Sequence, residues 1–427
     1  MGLSIAVLAR VAARTKARPE LFRKLVHIGA GFVAVSFAWL FEDTWPVVLL
    51  SLGGVLFVIG VRRWAPLKRT IGPLLHGVER TSVGDYCLPI VIPLIHGLAM
   101  PDRVLYIIPI LVLTLADAAA ALVGVRIGRL SYRTGEGAKT VEGSLAMALV
   151  SGLIVVIALS IDGVEPGRAF AIAAMIAMLI TLTEAVCWRG LDNLVVPVAT
   201  FALLQIYLEM PVQLLGIRFG VGLFLIGLAV YWHRIAGLIG AAGLAVVLVL
   251  YASWSLGGWE WLVAPSVVVA SVPFLGARSS DTPDEHHGVG TVLSFGLGPL
   301  IWVLYNGAML PPGAMLVPFV TACSAALGVI GIVRWRFDRA AGRCDRLLPA
   351  KLVLVVLGGA VLFGSVMSEH AIWLTVAYSL GASAIAAALV AVSPAERPGK
   401  WWNARWVLRA AVIVVVSAIP LVIDSFM

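Results

Sequence analysis

The chain has 427 residues, of which 61% are hydrophobic and only 13% are charged. Soluble domains are typically about half apolar and about a quarter charged, so this composition excludes a water-soluble enzyme, a disordered chain and a coiled coil. The formal net charge of +8 is interpreted as the excess of basic residues that membrane proteins carry in their cytoplasmic loops, and nucleic acid is not expected as a partner.

Apolar stretches recur along the whole chain, and a membrane-spanning helix needs about 20 mostly apolar residues. In the first half, transmembrane helices are predicted near 25–41, 46–61, 84–100, 104–125, 144–161, 169–187, 193–209 and 213–231. In the second half, they are predicted near 235–256, 260–275, 290–309, 314–333, 352–368, 371–392 and 407–424. The sequence therefore predicts an all-α fold, a polytopic transmembrane helical bundle of about 15 helices.

Basic residues fall in alternate loops between these predicted helices. The loop after the second helix carries Arg62, Lys68 and Arg69, whereas the loop after the first carries Glu42 and Asp43. Loops rich in Lys and Arg stay on the cytoplasmic side, so the segment before the first helix is placed inside. We expect an integral protein of a prokaryotic cytoplasmic membrane.

The two halves of the chain resemble each other weakly, at an offset of about 210 residues. RKLVHIGAG from Arg23 aligns with RIAGLIGAA from Arg234, and His27 then falls opposite Leu238. We predict two degenerate parallel repeats, with a catalytic membrane domain at 1–212 and an accessory domain at 213–427. The alternative is a chance match between two segments of similar apolar composition. If the chain has chemistry, it lies in the first half, because the second copy lacks its charged residues.

The segment Lys139-Thr140-Val141-Glu142-Gly143-Ser144 precedes the fifth predicted helix. Backbone N–H groups at a helix start and the helix dipole favour a phosphate group, and a lysine ammonium adds a positive charge. The sequence indicates either a phosphate-binding loop or a helix cap beside a cytoplasmic lysine.

Asp117 lies well inside an apolar helix, in the sequence LADAAAA. A carboxylate within a membrane span is energetically costly and therefore indicates a functional site. Its small neighbours allow another helix or a ligand to approach closely. The alternative is a polar contact between two helices.

Oxygen-bearing side chains cluster near the cytoplasmic end of the sixth predicted helix, at Glu184, Asp192 and Asn193. Carboxylates together with phosphate oxygens are the ligands that Mg²⁺ prefers, so a metal site is one interpretation. The other is an ordinary helix end, in which Asp192 or Asn193 caps the next helix.

The first predicted helix opens with Arg23, Lys24 and His27, and Arg23 and His27 share a helix face at i and i+4. These residues are interpreted either as site residues or as membrane anchors. Glu79 and Arg80 precede the third helix and are read as further site candidates or as an exposed surface pair.

In their order and spacing, RKLVHIGAG, DAAAALVGVRIGR, KTVEGS and GLDNLVVP resemble motifs of the dolichol kinase/phytol kinase family of polytopic membrane enzymes, over about residues 20–210. The resemblance implies that the KTVEGS loop binds CTP. The matching positions are Lys139, Thr140, Glu142, Gly143 and Ser144 for the loop, Asp117 for the intramembrane aspartate, Arg23, Lys24 and His27 for the RK…H signature, and Glu184, Asp192 and Asn193 for the acidic helix end. Simpler phytol kinases lack the second half.

The resemblance implies transfer of the CTP γ-phosphoryl group to the hydroxyl of a lipid alcohol, either a polyprenol, a phytol-like alcohol or diacylglycerol. We expect Lys139 and its loop to hold the triphosphate, with Arg23 and Lys24 as additional cations. The candidate Mg²⁺ ligands are Asp117, Glu142, Glu184 and Asp192. Asp117 or His27 accepts the alcohol proton. A cytidylyltransferase that makes a CDP-lipid and a lipid transporter are the alternatives.

Overall fold

A computed structural model describes residues 19–63, 84–134, 137–187, 190–236, 240–275, 289–309, 315–340, 346–364, 369–392 and 404–424. Across these residues the chain is an all-α polytopic protein with fifteen helices, which confirms the predicted fold class and helix number. Glu79, Arg80 and the side chain of Arg23 lie outside the described part of the chain, so their predicted roles stay predictions.

The chain divides into two compact units, Met1–Gly220 and Val221–Met427. The predicted domain boundary lies close by, at 212/213, and the predicted repeat relationship between the halves stays a prediction. The helices that begin in the first unit are α1 Pro19–Leu40, α2 Thr44–Arg63, α3 Gly84–Ala99, α4 Arg103–Ile127, α5 Val141–Ile161, α6 Pro166–Val186, α7 Asp192–Leu208 and α8 Val212–Ala236.

The second unit continues with seven helices in its described residues. These are α9 Gly240–Gly257, α10 Glu260–Phe274, α11 Val289–Met309, α12 Leu316–Ala340, α13 Leu348–Gly364, α14 Glu369–Ala391 and α15, whose two parts are Ala404–Ser417 and Ile419–Asp424. Helix α12 packs along α14 around a core that includes Trp261, Phe319 and Ala386.

Six helices of the described residues are long and apolar enough to cross a membrane, judged by length and composition. They are α4, α5, α6 and the segments Val212–Tyr231, Leu316–Arg336 and Trp373–Ala391. Nine shorter apolar helices accompany them. The agreement with the predicted spans arises because the length of an apolar run is a local property of the sequence.

Successive helices of the first unit run in opposite directions. Tyr106, in the first turn of α4, donates a hydrogen bond of 2.8 Å to the backbone oxygen of Ala34, late in α1. At the same end, Thr44 at the start of α2 lies 3.1 Å from His96 at the end of α3. The opposite end of this unit, where α4 and α6 end and α3, α5 and α7 begin, therefore gathers the residues predicted for the site.

A two-stranded antiparallel hairpin joins α4 to α5, with β1 Ser131–Thr134 and β2 Gly137–Thr140. The predictions placed a loop here, because two polar four-residue strands carry no apolar alternation to mark them. The register pairs Tyr132 with Lys139 and Arg133 with Ala138. Tyr132 and Lys139 thus share the partly buried face of the hairpin, and Arg133 and Ala138 share the exposed face.

Candidate active site

A buried ion pair joins α1 to α4. The Nζ atom of Lys24 donates to Oδ2 of Asp117 at 2.6 Å, and the two residues are 4% and 7% exposed. Two charges removed from water are tolerated only when they are paired, so each of these residues depends on the other. Asp117, the predicted intramembrane carboxylate, therefore makes a polar contact between two helices. Its partner, Lys24, is also one of the predicted site residues.

Asp117 follows a π-helical turn, Val112–Ala116, within α4. Short π-helical turns in α-helices occur frequently at functional sites. Nε2 of His27 lies 3.2 Å from the backbone oxygen of Leu113 in this turn and 3.7 Å from Oδ2 of Asp117. The turn thus brings a carbonyl group and a carboxylate of α4 to the same imidazole of α1.

A second ion pair joins the hairpin to α6. Nζ of Lys139 donates to Oε1 of Glu184 at 2.6 Å and also to the backbone oxygen of Glu184. Burial by itself lowers the pKa of Lys139, but the Glu184 carboxylate outweighs it, so the pKa is raised above its ordinary value. The ammonium is therefore charged throughout the neutral pH range.

Asp192 carries a third carboxylate, which interacts electrostatically with both ion pairs. It lies in the first turn of α7, and its carboxylate interacts electrostatically with Asp117, Lys139 and Lys24. Within the described residues, its buried Oδ1 atom has no hydrogen-bond partner. The neighbouring Asn193 donates to the backbone oxygen of Gly84 at 3.0 Å and fixes the start of α7 against the start of α3.

The residues after Lys139 build the junction between the hairpin and α5. Thr140 caps α5 by accepting a hydrogen bond from the backbone N–H of Gly143 at 3.1 Å. Glu142 accepts from the backbone N–H groups of Arg129 and Leu130 at 2.9 and 3.1 Å. Ser144 Oγ lies 2.7 Å from the hydroxyl of Tyr132. The structure therefore shows Thr140 as a helix cap, and phosphate binding by this segment stays a prediction.

A phytol kinase from Synechocystis sp. (strain ATCC 27184 / PCC 6803 / Kazusa) is 34% identical to this chain over 185 residues, which are 42% of this chain and 76% of that protein. The chain belongs to the phytol kinase-like family. No family model matches the chain, and no solved structure matches it. The resemblance inferred from the motifs is confirmed at the level of the phytol or polyprenol kinase-like family, and a specific relation to the dolichol kinases stays a prediction.

The acidic residues of this phytol kinase-like chain were predicted to hold Mg²⁺. Among the residues that the structure describes, no group of three or more His, Cys, Asp and Glu side chains could hold a metal ion. Glu142 accepts hydrogen bonds from backbone N–H groups at the junction between α4 and the hairpin, and Asp117 and Glu184 are each paired with a lysine. Within the described residues, the buried Oδ1 of Asp192 has no hydrogen-bond partner and fits a cation, which would then need phosphate oxygens as further ligands.

Two residues beside the ion pairs were not predicted. Tyr132 shares a hairpin face with Lys139, and its position follows from the strand register. Cys187, just after α6, interacts electrostatically with Asp192, Lys139 and Glu184. Burial, and then the Asp192 carboxylate, raise the pKa of Cys187 to about 12, so this side chain is a neutral thiol and not a nucleophile at neutral pH.

The start of α5 lies close to α4, and Gly143 permits this approach. A Cβ atom at Gly143 would lie 2.8 Å from the backbone oxygen of Ala120 and 3.0 Å from Oγ1 of Thr140. We expect Gly143→Ala to lower the free energy of unfolding by about 1–3 kcal/mol, because the backbone must shift to accept the methyl group. Thermal unfolding of the detergent-solubilised protein measures this loss.

Gly152, on the same helix, is the matched control for this substitution. A Cβ atom there would lie 3.5 Å from Cβ of Ala177, which is an ordinary contact. Gly152→Ala should be neutral or stabilising, since Ala is favoured over Gly in a helix interior. Equal melting temperatures for the two variants would contradict the close approach of α5 to α4.

Proposed function

We propose that this protein transfers the γ-phosphoryl group of CTP to the hydroxyl of a lipid alcohol. The observation that carries the proposal is the pairing of Lys24 with Asp117 and of Lys139 with Glu184 at one end of an apolar helical unit. Membership of this chain in the phytol kinase-like family supports the activity of a lipid-alcohol kinase. Phosphoryl transfer needs little from the protein beyond positioning and charge neutralisation, and these residues can supply both.

The triphosphate is proposed to bind at the hairpin end of the first unit, where α3, α5 and α7 begin. Helix starts attract phosphate groups through their backbone N–H groups and dipoles. Lys139 exchanges its Glu184 contact for phosphate oxygens, and Lys24 with Arg23 provides further positive charge. Thr140, Glu142, Gly143 and Ser144 contribute by holding the hairpin against α5.

Mg²⁺ is proposed to bind Asp192 and Asp117 together with phosphate oxygens, because Mg²⁺ is commonly held by one or two carboxylates plus substrate phosphates. Oδ1 of Asp192 is buried and has no hydrogen-bond partner within the described residues. When bound, the ion would neutralise negative charge on the phosphates. Once Lys139 turns to the nucleotide, Glu184 becomes available as an additional ligand.

His27 is proposed to accept the proton of the alcohol. A carbonyl oxygen only accepts hydrogen bonds, so Nε2 of His27 donates to Leu113 and Nδ1 is the basic nitrogen of the neutral ring. In the reaction, a bond forms between the alcohol oxygen and the γ-phosphorus, the bond to the CDP leaving group breaks, and the proton passes to His27. Asp117, which pairs with Lys24, is proposed as a ligand of the cation and not as the proton acceptor.

The lipid alcohol is proposed to approach laterally, with its tail between the apolar helices and its hydroxyl at the hairpin end. This end then faces the cytoplasm, where nucleoside triphosphates are found, in keeping with the concentration of basic residues there. A polyprenol, a phytol-like alcohol and diacylglycerol share the chemistry of a single hydroxyl on an apolar tail. The substrate panel of the assay below separates them.

The direct test incubates the full-length protein with γ-labelled CTP or γ-labelled ATP and a panel of lipid alcohols that contains polyprenol, phytol, farnesol and diacylglycerol. We expect label in a lipid monophosphate, with more product from CTP than from ATP and a requirement for Mg²⁺. Parallel reactions use α-labelled CTP. Transfer of the α-label to lipid, with release of pyrophosphate, would instead identify a cytidylyltransferase. Absence of labelled lipid with every pair would refute both activities for this panel.

A further inference from the structure

Tyr132 has the setting of a residue that serves the site, although the function proposed above does not use it. It lies on β1 directly opposite Lys139 on β2, and the two side chains project from the same, partly buried face of the hairpin. Its hydroxyl lies 2.7 Å from Oγ of Ser144, in the first turn of α5. Tyr132 therefore connects the lysine-bearing strand pair to the helix that follows it.

The hydroxyl of Tyr132 is available as a hydrogen-bond donor at neutral pH. Burial raises the pKa of Tyr132 further above its ordinary value, while its hydrogen bond to Ser144 acts in the opposite direction. Electrostatic interactions also reach Tyr132 from Glu184 and Lys139, in keeping with the strand register that sets Tyr132 opposite Lys139. The bond to Ser144 thus orders a side chain in contact range of the lysine that would bind the triphosphate.

We infer that Tyr132 is a positioning residue for Lys139, and that its hydrogen bond to Ser144 holds the hairpin so that the lysine ammonium faces the nucleotide phosphates. This inference rests on the proposed function and adds a role to two residues of that same site. A cation misplaced by about 1 Å loses much of its effect on a transferring phosphoryl group. Loss of the hydrogen bond between Tyr132 and Ser144 should therefore raise the KM for the nucleotide more than the KM for the lipid alcohol.

The test compares Tyr132→Phe, Ser144→Ala and the double variant with the wild type. Each single substitution removes the same hydrogen bond while keeping the ring or the backbone in place. We expect each to raise the KM for the nucleotide roughly three- to tenfold, the size of effect that one hydrogen bond produces, with an unchanged KM for the alcohol. The double variant should match the single variants, because the second substitution has no bond left to remove.

Tyr106→Phe is the matched control. This substitution also removes a buried hydroxyl, which donates to the backbone oxygen of Ala34. Tyr106, however, lies about 30 Å along α4 from the hairpin end. This control should lower the melting temperature and leave both KM values unchanged. If Tyr132→Phe also leaves the nucleotide KM unchanged, or raises both KM values alike, the positioning role is refuted.

Nucleotide binding separates failure of this inference from failure of the proposed function. If the wild type turns over no alcohol, the kinase proposal fails, and equilibrium binding of CTP to the wild type and to Tyr132→Phe becomes the readout. Weaker binding to Tyr132→Phe than to Tyr106→Phe would support the positioning role. Equal binding to all three proteins, or no binding to the wild type, would overturn it.

Discussion

Replacing Lys139 with Met is expected to lower kcat/KM about a hundred- to thousandfold, the loss that follows removal of one preorganised donor to a transition-state charge. Met keeps the apolar stem of the side chain and removes only the ammonium. The same substitution leaves the buried carboxylate of Glu184, 7% exposed, without its lysine. It should therefore also lower the free energy of unfolding by about 3–5 kcal/mol.

A second substitution separates the loss of stability from the loss of activity. In Lys139→Met/Glu184→Gln, a neutral amide replaces the unpaired carboxylate, so the melting temperature should recover toward that of the wild type. Activity should stay low, because the ammonium is still missing. Activity that recovers together with stability would show that Lys139 acts only through folding.

Arg133→Met is the control for this lysine. Arg133 lies on the exposed face of the same hairpin, whereas Lys139 lies on the partly buried face. Loss of this charge should leave turnover within about twofold of the wild type, because salt screens an exposed charge strongly. An equal loss from both variants would indicate that net charge of the hairpin matters and that the buried lysine has no specific role.

Breaking the pair of Lys24 and Asp117 is expected to lower the free energy of unfolding strongly. Lys24→Met and Asp117→Asn each leave one buried charge without its partner, which costs about 3–5 kcal/mol in buried pairs. Lys24→Met/Asp117→Asn removes both charges and should be more stable than either single variant, because no charge is left to desolvate. Thermal unfolding of the four proteins gives the coupling between the two sites.

Activity should be lost in all three of these variants, since each removes a charge that is proposed to hold the triphosphate or its cation. The second unit offers a matched control pair, Arg334 and Asp338, whose Nε and Oδ2 atoms lie 2.9 Å apart with little exposure. Asp338→Asn should lower stability in the same manner while the folded protein keeps its kcat/KM. If the Lys24/Asp117 double variant regains full turnover, this pair is structural only.

Several parts of the site could be predicted from the sequence because each is a local anomaly. Asp117 stands out as a carboxylate in an apolar run, and Lys139 stands out as a cation just before a helix. Glu184 and Asp192 stand out at the ends of two predicted helices. No local feature, however, indicates that Lys24 pairs with Asp117 or that Lys139 pairs with Glu184.

The metal prediction shows the limit of reading residue types alone. Four carboxylates at one predicted membrane face have the right chemistry for Mg²⁺. In the structure, Glu142 accepts hydrogen bonds from the backbone N–H groups of Arg129 and Leu130. Asp117 and Glu184 each form an ion pair with a lysine. Which oxygen is left for a cation depends on these pairings, which involve residues as far as 93 positions apart.

The sequence by itself determined that this chain is a polytopic all-α protein and approximately where its helices lie, because apolar run length and helix-capping residues are local properties. It also determined which residues are chemically unusual. Only the tertiary structure decided the hairpin, the π-helical turn before Asp117 and the two ion pairs. These features arise where separate helices pack, since a buried charge takes as its partner whichever opposite charge the packing places beside it.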